Sequence, residues 1–93
     1  MATAVFRYRT KPEAADENLI LIEKVFAELT AAAPPDLTYA SFRLADGVTF
    51  VHVVNGEGLL DLAAFQEFQR NLGDRFDGDL VREEATCIGA YSA

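Results

Sequence analysis

The seven residues Val48-Thr49-Phe50-Val51-His52-Val53-Val54 carry apolar side chains at odd and at even positions. Their β-branched and aromatic types suit a strand. A sheet wet on one side would show a polar residue at every second place, and this run does not, so the sequence predicts cover on both of its faces. The rest of the chain must supply that cover.

Upstream, Val5 to Arg9 alternates, with Phe6 and Tyr8 on one side and Arg7 and Arg9 on the other, which is strand periodicity. Thr10-Lys11-Pro12-Glu13 predicts a helix start, with Thr10 as cap, Glu13 completing a capping box and Pro12 in the first turn. Leu19, Ile22, Phe26 and Leu29 then recur at steps of three and four, an apolar stripe. The helix must finish by Ala33, because Pro34-Pro35 cannot continue it.

Two extended runs, Leu37 to Leu44 and Val48 to Val54, flank Ala45-Asp46-Gly47, and Asp-Gly between β-rich runs is a hairpin signal. After Asn55-Gly56-Glu57-Gly58 a second helix is expected, capped by Asp61, with Leu60 stapled to Phe65. Its stripe is Leu62, Phe65, Phe68, Leu72 and Phe76. Asp77-Gly78-Asp79 is a turn, and Leu80 to Tyr91 reads as a long last strand.

The order βαββαβ, with right-handed crossovers, predicts one α+β domain over residues 1–93: a ferredoxin-like, four-stranded antiparallel sheet with both helices on one face. Two helices cover one side of four strands. If about 400 Å² of the other side is apolar, covering it is worth about 10 kcal/mol before entropy costs. A face-to-face homodimer follows. The composition agrees, since 51% of 93 residues are hydrophobic and a domain this short hides little surface.

A net charge of −7 with eight Lys and Arg argues against nucleic acid and against anionic membranes as partners. The first residues lack a basic segment followed by an apolar run, so a cytoplasmic protein is the default expectation. One cysteine, Cys87, cannot form an internal disulfide, and its place in strand periodicity predicts an inert core thiol. One His and one Cys far apart make no zinc site, so no metal is expected. Gly56 and Gly58 do not match a phosphate-binding loop.

Three stretches together resemble a known group: Val5-Phe6-Arg7-Tyr8-Arg9-Thr10-Lys11-Pro12, the hairpin through Phe50-Val51-His52-Val53-Val54, and the phenylalanine-bearing helix after it. The chain resembles the dimeric α/β-barrel superfamily, in particular small proteins of the antibiotic biosynthesis monooxygenase type. That resemblance implies a homodimer whose sheets enclose a barrel, with a ligand cavity between sheet and helices. It implies either oxidation of aromatic or quinol substrates by oxygen with no cofactor, haem degradation, lactone isomerisation, or no known activity. The haem-degrading relatives use a Trp and a His on or beside the second helix. This chain has no Trp, and Phe65 and Phe68 stand in that stretch, which speaks against haem.

His52 is the only histidine, so it alone has an unperturbed pKa near neutrality and is the candidate catalytic base. Its face depends on the hairpin register. A two-residue Asp46-Gly47 loop pairs Ser41 with His52. A three-residue loop pairs Ala40 with His52 and sorts apolar side chains more cleanly, so that register is preferred. Arg7 should lie on a central strand, where burial would demand a carboxylate, and Glu84 is its candidate partner. Tyr39 and Tyr91 could place phenols in a cavity or in the interface, and Phe65 could line a pocket. The pocket candidates are therefore Arg7, Tyr39, His52, Phe65 and Glu84. They fit either a cofactor-free oxygenase for a small aromatic or polyketide-like compound, or a non-catalytic dimer that binds a small hydrophobic ligand.

Overall fold

The computed structural model describes residues 3–92, and Met1, Ala2 and Ala93 of the expected domain lie outside that range. Its elements are β1 (Thr3–Arg9), α1 (Ala15–Ala32), β2 (Thr38–Arg43), β3 (Thr49–Asn55), α2 (Ala63–Gln69), α3 (Leu72–Arg75) and β4 (Val81–Ala85). All pairings are antiparallel and the strand order is β2-β3-β1-β4, so β1 is central between the third and fourth strands. Successive residues of a strand face opposite sides. Phe6, Tyr8, Phe50, His52, Tyr39 and Ser41 therefore point toward the helices, while Val5, Arg7, Val51, Val53, Ala40 and Phe42 point away.

The core lies between sheet and helices. Tyr8 and Phe50 from the sheet meet Ile22 and Val25 from α1 and Phe65 and Phe68 from α2. On α1 the buried line runs Asn18, Ile22, Val25, so the stripe is turned by one position from the expected Leu19 and includes a polar residue. The helix stops where expected: Ala33 takes a left-handed φ of 44°, and its N–H caps Leu29 O at 2.8 Å.

Both predicted helix starts are corrected. Thr10 caps nothing; its N–H and hydroxyl both donate to Val48 O, at 2.8 and 3.3 Å, tying β1 to the hairpin. A 3-10 turn over Pro12–Ala14 precedes α1 instead, with Pro12 in the first turn as expected. Asp61 lies inside a second 3-10 turn and Leu60 is 65% exposed, so neither the cap nor the staple forms. The N-terminus of α2 is capped from across the core. Ala63 N and Ala64 N donate to the Glu28 carboxylate at 3.2 and 2.7 Å, a charge-assisted pair that a local sequence pattern cannot announce.

The hairpin register is the one not preferred from sequence: Ser41 faces His52 and Arg43 faces Phe50. Asp46 decides it. Its carboxylate accepts from Val48 N, Thr49 N and the Thr49 hydroxyl at 3.0, 2.9 and 2.6 Å, which builds a turn of four residues rather than three. The Thr49 hydroxyl first, then the two backbone donors, hold that carboxyl down at about 2. At the far end of the hairpin Gly56 has φ 107°, and a side chain there would collide with the Asp36 carbonyl.

The second helix is not continuous. Arg70 turns extended and Asn71 left-handed (φ 62°), which separates α2 from α3. Leu62, Phe65 and Phe68 are buried, whereas Leu72 and Phe76 only flank the core. The last strand is shorter than expected. Ala85 stands opposite Thr3, and beyond it Thr86 to Ser92 have no ladder partner among the described residues. Cys87 accordingly is exposed, not a core thiol. Among the described residues no helix is long and apolar enough to cross a membrane.

Candidate active site

Three elements converge on one buried imidazole. β3 carries His52, only 3% exposed. β1 brings Tyr8 beside it, with Oη 2.8 Å from Nε2. β2 brings Ser41 Oγ to 2.7 Å and Tyr39 Oη to 3.1 Å from Nδ1. Tyr39 stacks parallel to the imidazole at 5.9 Å, and Phe68 meets it edge-on at 5.6 Å. Both ring nitrogens thus have partners, and aromatic rings pack around the imidazole.

The contacts continue inward. Asn18 Nδ2 donates to Tyr8 Oη at 2.9 Å, and Arg75 Nε donates to Asn18 Oδ1 at 3.0 Å. Arg75 also donates to the carbonyls of Phe68 and Arg70, at 2.6 and 3.5 Å, and lies over the Phe68 ring. The break at Asn71 is what allows this. It folds α3 back so that Arg75 caps the open C-terminus of α2 from inside the protein.

Burial dominates the electrostatics. It lowers the His52 pKa from 6.5 to about 4, so the imidazole is neutral at physiological pH. Burial also pushes the Tyr8 phenol well above its ordinary value, against the opposing pull of Asn18. Tyr39 is raised for the same reason. Desolvation lowers the Arg75 guanidinium, which the nearby Glu17 and Asp74 carboxylates partly offset.

A cavity of about 190 Å³ opens against this group. Tyr8, Tyr39 and His52 form its polar end, and Leu59, Phe65 and Phe68 its apolar wall; Gln69 and Leu80, both exposed, stand at the outside. Of the residues singled out from sequence, Tyr39, His52 and Phe65 come together here. Arg7 and Glu84 do not. Arg7 pairs with Val51 and Val81 on the open face, whereas Glu84 sits opposite Ala4 and beside Arg82 on the other, so the expected ion pair cannot form. Tyr91 is 92% exposed, in neither cavity nor core. Tyr8, Ser41, Asn18 and Arg75 were not anticipated. Asn18 left one trace: it sits four residues before Ile22 and seven before Val25, a polar residue on the apolar line. Among the described residues no three His, Cys, Asp or Glu side chains gather as metal ligands.

No protein-family model and no curated protein matches the sequence. Solved structures do. One, an antibiotic biosynthesis monooxygenase, superposes with a TM-score of 0.73 at 21% identity, over 96% of this chain and 100% of that one. The fold is that of the antibiotic biosynthesis monooxygenase structures. Rv0793 from Mycobacterium tuberculosis matches at TM-score 0.73 and 14% identity, over 98% of each chain. SnoaB, a cofactor-independent oxygenase from Streptomyces nogalater, matches at 0.66 and 16%, over 96% of this chain and 94% of its own. At such identities the likeness speaks for the antibiotic biosynthesis monooxygenase fold, and the chemistry must be argued from the residues of this cavity.

Proposed function

We propose that this protein is a homodimeric oxygenase for single-ring phenols, in which His52 is the final proton acceptor. The observation that carries the reading is the cavity itself: one neutral buried base reached through tyrosine hydroxyls, with a wall otherwise apolar except for Gln69 at the outside. SnoaB, of the same fold, is a cofactor-independent oxygenase, which makes direct reaction with oxygen the natural chemistry to test. Deprotonation turns a phenol into an electron-rich phenolate that oxygen can oxidise. A ring C–H becomes C=O, the hydroxyl becomes a second carbonyl, and one O2 yields one incorporated oxygen atom and one water.

Size selects the substrate. An apolar cavity of ~150 Å³ holds one benzene. The space here exceeds that by the volume of small substituents, so a phenol with a methyl or methoxy group fits within it, whereas a three-ring polyketide would extend past Gln69 and Leu80 into solvent. Oxygen-electrode assays with methoxyphenols should show saturable uptake, and anthrone should show none above background. Uptake with anthrone but with no methoxyphenol would overturn the size argument. Thermal stabilisation by a methoxyphenol without oxygen uptake would make the protein a binder instead, a role compatible with the fully partnered His52.

The dimer rests on the open face of the sheet. Val5, Val51 and Val53 are half-buried there, beside Phe42 at 54% and Val81 at 48% exposure, and among the described residues no helix lies over them. Sedimentation at low micromolar concentration is expected to give the mass of two chains. A well-folded single subunit would remove the dimer from the proposal.

A further inference from the structure

From the hydrogen-bond geometry we infer that Arg75 sets a one-way hydrogen-bond chain, Arg75 to Asn18 to Tyr8 to His52, which fixes the imidazole as its Nδ1–H tautomer and makes Arg75 and Asn18 positioning residues for proton transfer. The direction follows from what each group can do. A guanidinium donates and never accepts. Arg75 is itself held by the Phe68 and Arg70 carbonyls, so its Nε–H faces Asn18 with a fixed orientation. The atom it meets at 3.0 Å must therefore be the amide oxygen, which turns the amide NH2 toward Tyr8.

Tyr8 Oη accepts that bond at 2.9 Å, and its own proton needs an acceptor. His52 Nε2, 2.8 Å away, is in place to be one. Nε2 then carries the lone pair and Nδ1 the proton, which goes to Ser41 Oγ at 2.7 Å. The opposite tautomer would aim two donors at Tyr8 and turn the Tyr8 proton away from its buried partners toward a largely apolar cavity. With Nδ1 protonated, the Tyr39 hydroxyl has no use for its proton at His52 and is free to donate it into the cavity, toward an oxygen acceptor on the ligand.

For turnover this inference rests on the proposed function. In one step the substrate O–H breaks as a new Tyr8 O–H forms, while the original Tyr8 O–H breaks as Nε2–H forms. The products are a phenolate and an imidazolium, and charge is conserved. A chain running the other way would present the Tyr8 proton to Asn18 and could not make this transfer.

The chain has one histidine, so the ring nitrogens of 15N-labelled, ligand-free protein give a single pair of signals. Nδ1 is expected at the shift of a protonated nitrogen and Nε2 at that of an unprotonated one. Asn18→Asp replaces the donor facing Tyr8 with an acceptor and keeps a partner for Arg75. It should draw the Tyr8 proton away from His52 and exchange the two shifts. Tyr8→Phe, which preserves the ring stack, should likewise end the Nδ1–H preference and serves if the first variant does not fold. A wild-type Nε2–H tautomer, or shifts unmoved in both variants, overturns the inference. In oxygen uptake Asn18→Asp should lower kcat at least tenfold with little change in KM. Absence of turnover in the wild type, beside the expected shifts, would defeat the proposed function and leave the chain direction standing.

Discussion

His52→Gln should lower oxygen consumption with a methoxyphenol by about 10²- to 10⁴-fold, the span over which a positioned acid or base contributes. Glutamine is close in size, its amide can bond both Tyr8 and Ser41, and it cannot hold a transferred proton. The variant should therefore keep the cavity and the fold while losing the step. The pH profile supplies an independent check. Free imidazole would impose an acid limb near 6.5, but the His52 pKa is lowered to about 4 by burial. The wild-type kcat/KM should thus stay level from pH 8 down through 6 and fall only toward 4. An acid limb at 6.5 would mean that burial does not hold the His52 pKa down.

The same burial makes the folded state sensitive to mild acid. In the unfolded chain His52 takes up its proton around 6.5, and in the fold only near 4. Between those values the unfolded state binds more protons, so stability rises with pH across this window. The contribution is complete above pH 6.5 and is lost as pH falls toward 4. At ~1.4 kcal/mol per unit the loss approaches about 3 kcal/mol, a large share of the ~5–15 kcal/mol that holds a small domain together. Asp46 adds a later loss of the same sign, between 3.8 and about 2, so the two events are separated along the pH axis. Urea unfolding at pH 7, 5.5 and 4.5 should show stability falling at each step, and His52→Gln should flatten the trend. An unchanged slope in the variant would assign the acid loss to other groups.

Much of the architecture was legible because periodicity and punctuation are local. Pro34-Pro35 ended α1 and Asn55 to Gly58 ended β3, both as the sequence predicts. What escaped sequence reasoning depends on partners far along the chain. The cap of α2 is Glu28, 35 and 36 residues away from the amides it serves. The hairpin register turned on whether the Asp46 carboxylate would bind Thr49, a choice that apolar sorting ranked the wrong way. Arg7 and Glu84 were matched on charge alone; register sent them to opposite faces, and strand alternation allows no compromise.

The candidate site divides along the same line. His52 stood out as a lone histidine and Tyr39 and Phe65 as aromatics, so its visible half consists of unusual residue types. Its hidden half, Tyr8, Asn18 and Arg75, owes its role to separations of 44, 10 and 57 residues closed by the fold. Arg75 in particular gave no signal, because a helix pattern running smoothly from Leu62 to Phe76 concealed the break that turns it inward.

The absence of tryptophan leaves three tyrosines to emit, and two of them, Tyr8 and Tyr39, border the cavity while Tyr91 stands in solvent. Two of the three phenols able to emit in the near ultraviolet therefore stand where a guest would sit. Occupancy can be followed by light from the unlabelled protein, with the exposed third ring as a built-in reference.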